Sequence, residues 1–180
     1  MTISNKQKKV VEIIKPWFTS ILLLPAIIFI VVNHPKFLPI DYVNLLIHEG
    51  GHGIFGIFGN KYIYTLGGTV MQVLIPGMFV VFYLINKKKA TAQIFLIWLG
   101  QNILNISIYV SDARAQQLPL IGGKKVYHDW TYLLSEVGLL QQDIFIGQIF
   151  YFFGIAAFIV SLTLPLITRD YKSAKIDLGL

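Results

Sequence analysis

The sequence predicts an all-α polytopic membrane protein, and three observations carry this prediction. Of 180 residues, 55% are hydrophobic and only 13% are charged. The mean hydropathy is +0.65, so the chain has too few polar side chains to cover a water-exposed surface. Finally, the apolar residues are gathered into five runs separated by short polar segments. We therefore expect four to five transmembrane helices in a single membrane-embedded domain, residues 1–180.

The five apolar runs cover residues 17–32, 42–58, 70–85, 94–110 and 144–167. Several are shorter than the roughly 20 residues that a helix perpendicular to the bilayer needs. Non-helical backbone at membrane depth is tolerated where protein or a water-filled cavity satisfies its polar groups. Some of these runs are therefore predicted to be broken or re-entrant.

The stretch after the second run has a different character. Residues 61–69 combine aromatic and β-branched side chains with a Gly67-Gly68 pair, which is typical of a short extended segment followed by a turn. Pro76 and Gly77 then interrupt the third run. The predicted fold class thus leaves room for a re-entrant or short extended segment after the helix of the second run.

Three polar regions lie outside the main runs. Residues 1–16 form a basic N-terminal segment, and residues 169–180 form a polar C-terminal tail. The loop 111–143 contains apolar residues at helical spacing from Leu133 to Leu140, which predicts an amphipathic helix along the membrane interface. Asp129, just before these residues, is expected to be the N-cap of that helix.

The net charge of +6 comes from short clusters that flank the apolar runs, namely Lys6, Lys8, Lys9 and Lys15, then Lys87 to Lys89, and finally Arg169, Lys172 and Lys175. This placement indicates contact with membrane lipid headgroups. Without a basic and aromatic stripe on a soluble domain, it argues against nucleic acid as a partner. The positive-inside rule places the N-terminus in the cytoplasm. Three full passages would then put Lys87 to Lys89 outside, so the orientation stays open.

The chain contains no cysteine and four histidines. The absence of cysteine excludes disulfides and every zinc site built on thiolates. The short chain and the lack of organelle signals lead us to expect an integral protein of a bacterial inner (plasma) membrane.

The second run carries the pentapeptide His48-Glu49-Gly50-Gly51-His52. Residues four apart share one face of a helix, so His48 and His52 are predicted to bind one Zn²⁺ ion, with Glu49 beside them to act on bound water. Ionisable residues inside an apolar segment are costly and usually functional. The pattern therefore predicts the zinc site of a hydrolase.

A catalytic zinc site commonly has three protein ligands and one open position. Asp112 is the first candidate for the third ligand because it closes the fourth run, which carries polar residues suited to orienting ligands. Asp112 could equally be a surface carboxylate paired with Arg114. His128 is a second candidate for the ligand, or for a catalytic role as a proton donor or transition-state stabiliser. Asp129 also stays open as the third ligand.

The order of these motifs resembles the site-2 protease family of intramembrane zinc metallopeptidases. The resemblance covers residues 45–114 and rests on the pentapeptide, Gly67-Gly68, Gln72, Pro76 and the later aspartate. It implies that His48, His52 and Asp112 bind zinc on two transmembrane helices. It also implies that Glu49 activates the water.

The expected function is hydrolysis of peptide bonds within or next to the bilayer, with Glu49 as the general base. The substrate would be a transmembrane or membrane-proximal peptide, and ester substrates and the oligomeric state stay open. The alternative is a non-catalytic zinc-binding membrane protein, such as a transporter, a sensor or an inactive protease relative. A desaturase or hydroxylase is disfavoured because four histidines are too few for a di-iron cluster.

Overall fold

The computed structural model describes residues 14–118 and 127–167 and confirms the all-α fold class. Six α-helices occur in these ranges: α1 (Phe18–Asn33), α2 (Pro39–Phe55), α3 (Lys61–Ile85), α4 (Lys89–Ser111), α5 (Asp129–Glu136) and α6 (Asp143–Ile167). Short 3-10 turns precede α1, follow α2 and precede α6. Residues 1–13 of the predicted basic segment, residues 119–126 of the loop 111–143 and the whole polar tail 169–180 lie outside the described residues.

Four helical stretches are long and apolar enough to cross a membrane, which identifies an all-α polytopic membrane protein. They are Lys15–Asn33, Lys61–Ile85, Lys89–Ser111 and Leu140–Ile167. Their outer faces carry large exposed apolar side chains such as Phe29, Phe152 and Phe153. The helix with the HExxH motif, α2, is not among the four; it has 17 residues and buries several polar side chains.

Helices α1 and α2 run in the same direction along α4. At the start of α4, Gln93 donates a hydrogen bond to Ser20 of α1 at 2.8 Å. Near the middle of α4, Asn105 donates to Asp41 of α2 at 3.1 Å. At the end of α4, the ring of Tyr109 lies 5.8 Å from that of His48. Helices α1 and α2 therefore follow one another along α4 and are separated by a break between residues 34 and 38.

This arrangement removes the conflict over the lysines. Helix α3 runs antiparallel to α2 and α4, so the connection at Lys87 to Lys89 lies at the end of the bundle where α1 begins. The end of α6 is there as well, because Leu164 packs with Val80 and Ala92. Lys15 and the lysines between α3 and α4 consequently share one end of the molecule.

The predicted extended segment at residues 61–69 is wrong, because these residues form the first turns of α3. The side chain of Asn60 accepts a hydrogen bond from the Ile63 N–H at 3.0 Å and so caps the helix. Gly67 and Gly68 have a different use from the predicted turn. A Cβ at Gly67 would lie 2.9 Å from the Gly51 carbonyl, so the small residues let α3 approach α2 closely. Helix α3 also continues through Pro76 without a break.

The rest of the bundle is held by α4 and α6, which pack closely at small residues. A Cβ at Gly100 would lie 2.9 Å from the Gly154 carbonyl. The predicted amphipathic helix is present as α5 at the end of the bundle remote from the lysines. Its buried Trp130, Leu133 and Leu134 pack against the last turns of α4. The helix α5 is thereby fixed over the opening between α2 and α4.

Candidate metal centre

Three buried side chains from two helices meet in one cluster: His48 and His52 of α2 and Asp129 of α5. The Nε2 atom of His48 lies 2.8 Å from Asp129 Oδ2. The Nε2 atom of His52 lies 3.2 Å from the same oxygen. We call these three residues the His-His-Asp cluster. Two imidazoles and one carboxylate are ligand types typical of a catalytic zinc site.

The positions of the two histidines follow from the helix. Residues four apart lie one above the other on the same face, and the two ring centroids are 4.7 Å apart with planes at 85°. This face of α2 is turned towards α3 and α5. Gly68 of α3 makes room for the ring of His48, since a Cβ at that position would lie 2.6 Å from its Nε2.

Each imidazole is held at its other nitrogen. The Nδ1 atom of His52 is 2.9 Å from the backbone carbonyl of Tyr64. The Nδ1 atom of His48 is 2.8 Å from the side-chain oxygen of Gln72. Both partner atoms can only accept hydrogen bonds, so each Nδ1 must carry the proton. This is the arrangement by which proteins orient metal-binding histidines.

The consequence concerns the opposite nitrogens. In a neutral imidazole with its proton on Nδ1, Nε2 presents a lone pair. Both lone pairs face a carboxylate oxygen of Asp129, which is itself an acceptor. Three acceptors at such distances in a buried site repel one another unless a cation lies among them. The cation is a proton or a metal ion.

Asp129 is the first residue of α5, and the expectation that it caps this helix is wrong. The N-cap is His128, whose Nδ1 accepts a hydrogen bond from the Thr131 N–H at 3.3 Å. Asp129 instead turns its carboxylate inward. Burial acts to raise its pKa, but the close contacts with the rings of His48 and His52, which are favourable when those rings are protonated, outweigh burial and hold the pKa below its ordinary value. The carboxylate is therefore kept charged beside the two imidazoles.

Asp112 lies apart from the His-His-Asp cluster. Its two carboxylate oxygens accept hydrogen bonds from the backbone N–H groups of Gln117 and Leu118, at 2.9 and 3.0 Å. It is the C-cap residue of α4 and fixes the turn that follows. The expected pairing with Arg114 is replaced, because the Arg114 guanidinium lies 2.7 Å from Asp143.

His128 lies next to the cluster but contacts Asp112 and Tyr109. Its Nε2 lies 3.5 Å from Asp112 Oδ2, and its ring packs on Tyr109 with centroids 4.4 Å apart. Burial lowers its pKa, although the nearby carboxylate of Asp112 acts in the opposite direction. His128 does not line the main cavity. The structure thus brings together His48, His52 and Asp129 and leaves His128 and Asp112 as a neighbouring pair.

A cavity of about 920 Å³ reaches the cluster. It lies between α2 and α4, and its wall is mostly apolar. At one end it is lined by His48, His52, Glu49 and Asp129, and at the other by the break between α1 and α2. The exposed carboxylate of Glu49 makes no hydrogen bond to any residue that the structure describes. It is therefore free to act on a molecule in the cavity.

No protein-family model matches this chain, and no curated protein and no solved structure is significantly similar to it. The class of protein is therefore defined by the fold and the site alone. It is an all-α polytopic membrane protein with a group of two histidines and one aspartate that could hold a metal ion.

Proposed function

We propose that the His-His-Asp cluster binds Zn²⁺ and that the protein hydrolyses peptide bonds at this site. The observation that carries the proposal is the convergence of two imidazole lone pairs and one carboxylate at a buried point that opens on a cavity. Two nitrogens and one oxygen, without thiolates, are the donor set of catalytic zinc.

The spacing of the donor atoms supports a single ion. Two ligands bound at 2.0–2.1 Å in tetrahedral geometry lie about 3.3 Å apart. The separations of 2.8 and 3.2 Å between the histidine nitrogens and Asp129 Oδ2 are close to that value. The hydrogen bonds from the two Nδ1 atoms supply the outer-shell support that such ligands require.

When bound, zinc supplies Lewis acidity, which lowers the pKa of bound water towards neutrality and polarises a carbonyl group. Glu49 follows His48 directly in α2 and lines the same cavity. Its carboxylate takes a proton from the attacking water and passes it to the amine that leaves. Glu49 is thus the catalytic base, and the two histidines and Asp129 hold the metal.

The mostly apolar cavity suits a transmembrane or membrane-proximal peptide. The carbonyls of a helical substrate are engaged in its own hydrogen bonds, so the segment must unwind before attack. No strand lines the part of the cavity that the structure describes, which removes the strand edge expected at residues 61–69. Exposed polar side chains on the wall, among them Tyr42 and Tyr64, are the remaining partners for an unwound backbone.

The common position of Lys15 and Lys87 to Lys89 supports a cytoplasmic location for that end of the molecule. The cluster then lies towards the opposite face of the membrane, for which we retain the bacterial inner membrane. The likeness to site-2 proteases stays part of the proposal. It rests on the HExxH motif alone. In that family the third ligand lies on a later transmembrane helix, whereas Asp129 lies on the short helix α5.

The test combines metal content with cleavage of a transmembrane peptide by the purified protein in detergent. The native chain is expected to hold one zinc and to cleave. Glu49→Gln should keep the zinc and lose turnover, whereas His48→Ala should lose both. Zinc bound without any cleavage in the native chain would favour the non-catalytic alternative. A native chain without zinc would overturn the proposal.

A further inference from the structure

A line of buried and half-buried polar side chains connects the start of α2 with the metal ligand His48. Asp41, Asn105 and Gln72 follow one another along this line, and each belongs to a different helix. Asn105 donates to Asp41 Oδ1 at 3.1 Å, and Gln72 donates to Asn105 Oδ1 at 3.3 Å. The side-chain oxygen of Gln72 then faces His48 Nδ1 at 2.8 Å.

Asp41 fixes the direction of this line. Asp41 is 3% exposed, and its carboxylate is surrounded by donors: the Leu38 N–H at 2.6 Å and the amides of Asn44, Gln101 and Asn105. An ionised carboxylate only accepts hydrogen bonds. The amide nitrogen of Asn105 must therefore face Asp41, which leaves the Asn105 oxygen turned towards Gln72.

The orientation of Asn105 also fixes the hydrogen bond to His48. Because the Asn105 oxygen accepts, the amide nitrogen of Gln72 must face it, and the Gln72 oxygen must face His48. A carboxamide rotated by half a turn would present N–H groups to His48 and force the proton onto Nε2. An Nε2 that carries a proton has no lone pair for a metal.

We infer that Asp41 acts through Asn105 and Gln72 as a positioning residue, which keeps the His48 proton on Nδ1 and the Nε2 lone pair free for the metal. The inference rests on the proposed metal site and deepens it. Asp41 lies next to the break between α1 and α2, on the wall of the same cavity, and would support the ligand His48 from there.

The experiment is a double-mutant cycle on zinc affinity, measured by competition with a chelator. Asn105→Leu releases the Gln72 amide, so it should weaken zinc binding by about 10–100-fold. Gln72→Glu replaces the amide with a symmetric carboxylate, which accepts from His48 in either orientation. In that background, Asn105→Leu should change the affinity by less than about twofold.

Gln93→Leu is the matched control, because Gln93 is another side-chain amide of α4 and hydrogen-bonds Ser20 and Ser161 at the far end of the helix. It should lower stability without changing zinc affinity. An equal loss from Asn105→Leu in both backgrounds, or no loss in the native background, would overturn the inference.

A second readout keeps the two proposals separate. If the native chain binds no zinc, the proposed function fails, and the ¹⁵N chemical shifts of the His48 ring then judge the positioning role. A proton that is on Nδ1 of His48 in the native chain and on Nε2 in Asn105→Leu supports the positioning role of Asp41. A proton on Nε2 of neutral His48 in the native chain contradicts it.

Discussion

The α carbon of Gly68 lies so close to the imidazole of His48 that a Cβ there would be 2.6 Å from its Nε2. The ring has no freedom to give way, because Gln72 holds its Nδ1 and Asp129 faces its Nε2. A glycine of α3 therefore helps to fix the position of the His48 ring.

Gly68→Ala is expected to displace the ring of His48 and to weaken zinc binding by at least about 10-fold, as for the loss of an outer-shell contact. Overpacking should also cost about 1–3 kcal/mol in stability. Gly77→Ala in the same helix is the control. No atom lies within 4 Å of the added Cβ, so it should leave zinc binding unchanged. Equal zinc affinity in both variants, by chelator competition, would contradict this view.

The two aspartates near α5 are expected to differ sharply in their effect on the metal. Asp129→Asn removes a ligand and should reduce zinc affinity by more than the 10–100-fold that is typical of outer-shell changes, about 100-fold or more. Asp112→Asn should leave zinc bound, because its carboxylate caps the turn after α4. Elemental analysis of the two purified variants distinguishes them, and zinc loss in Asp112→Asn alone would reverse the assignment.

Leu133 connects the packing of α5 with the metal site. It is 1% exposed and belongs to the apolar cluster that holds α5 against α4. Leu133→Ala should cost about 2–5 kcal/mol and weaken zinc binding, because α5 carries Asp129. Val137→Ala, at a residue that is 50% exposed, should do neither. Thermal unfolding with and without zinc measures both effects, and unaltered zinc binding in Leu133→Ala would separate α5 docking from the metal.

The carboxylate of Asp143 is 1% exposed and has the Arg114 guanidinium as its charged partner at 2.7 Å. Arg114→Met would leave this buried carboxylate without its counter-ion. Because the Arg114 side chain is 40% exposed, we expect a smaller loss of stability than the removal of one partner of a fully buried pair would cause. Arg114→Lys keeps the charge and should recover part of the stability in chemical denaturation. A fully stable Arg114→Met would show that the pair contributes little.

The all-α fold and the shared face of His48 and His52 could be predicted because both depend on local periodicity. The helical state of residues 61–69 could not. Their aromatic and β-branched residues favour a strand locally, whereas close packing of Gly67 and Gly68 against α2 favours a helix, and tertiary packing overrides propensity. The succession of α1 and α2 along α4 could not be predicted either, because each of the two apolar runs by itself resembles a short complete membrane span.

The position of Asp129 depends on how α5 docks, which no local pattern specifies. Asp112 was the natural choice, since it ends a run with Gln101 and Asn105. One signal did point to Asp129. Asp129 lies four residues before Leu133, so the two side chains share one face of α5. That face is apolar and must face the bundle, so Asp129 faces inward too. Asn105 of α4 instead contacts the cluster indirectly, because it hydrogen-bonds Gln72 and Gln72 contacts His48.

His48 and Asp129 are 81 residues apart in the chain, and this has a consequence for biosynthesis. The histidines are synthesised with α2, while Asp129 is still to be translated. The complete His-His-Asp cluster forms only after α3 and α4 are in place and α5 has folded back over them. If the cluster binds a metal ion as proposed, loading is a late step in maturation, and a chain that stops before α5 has the HExxH motif without a closed site.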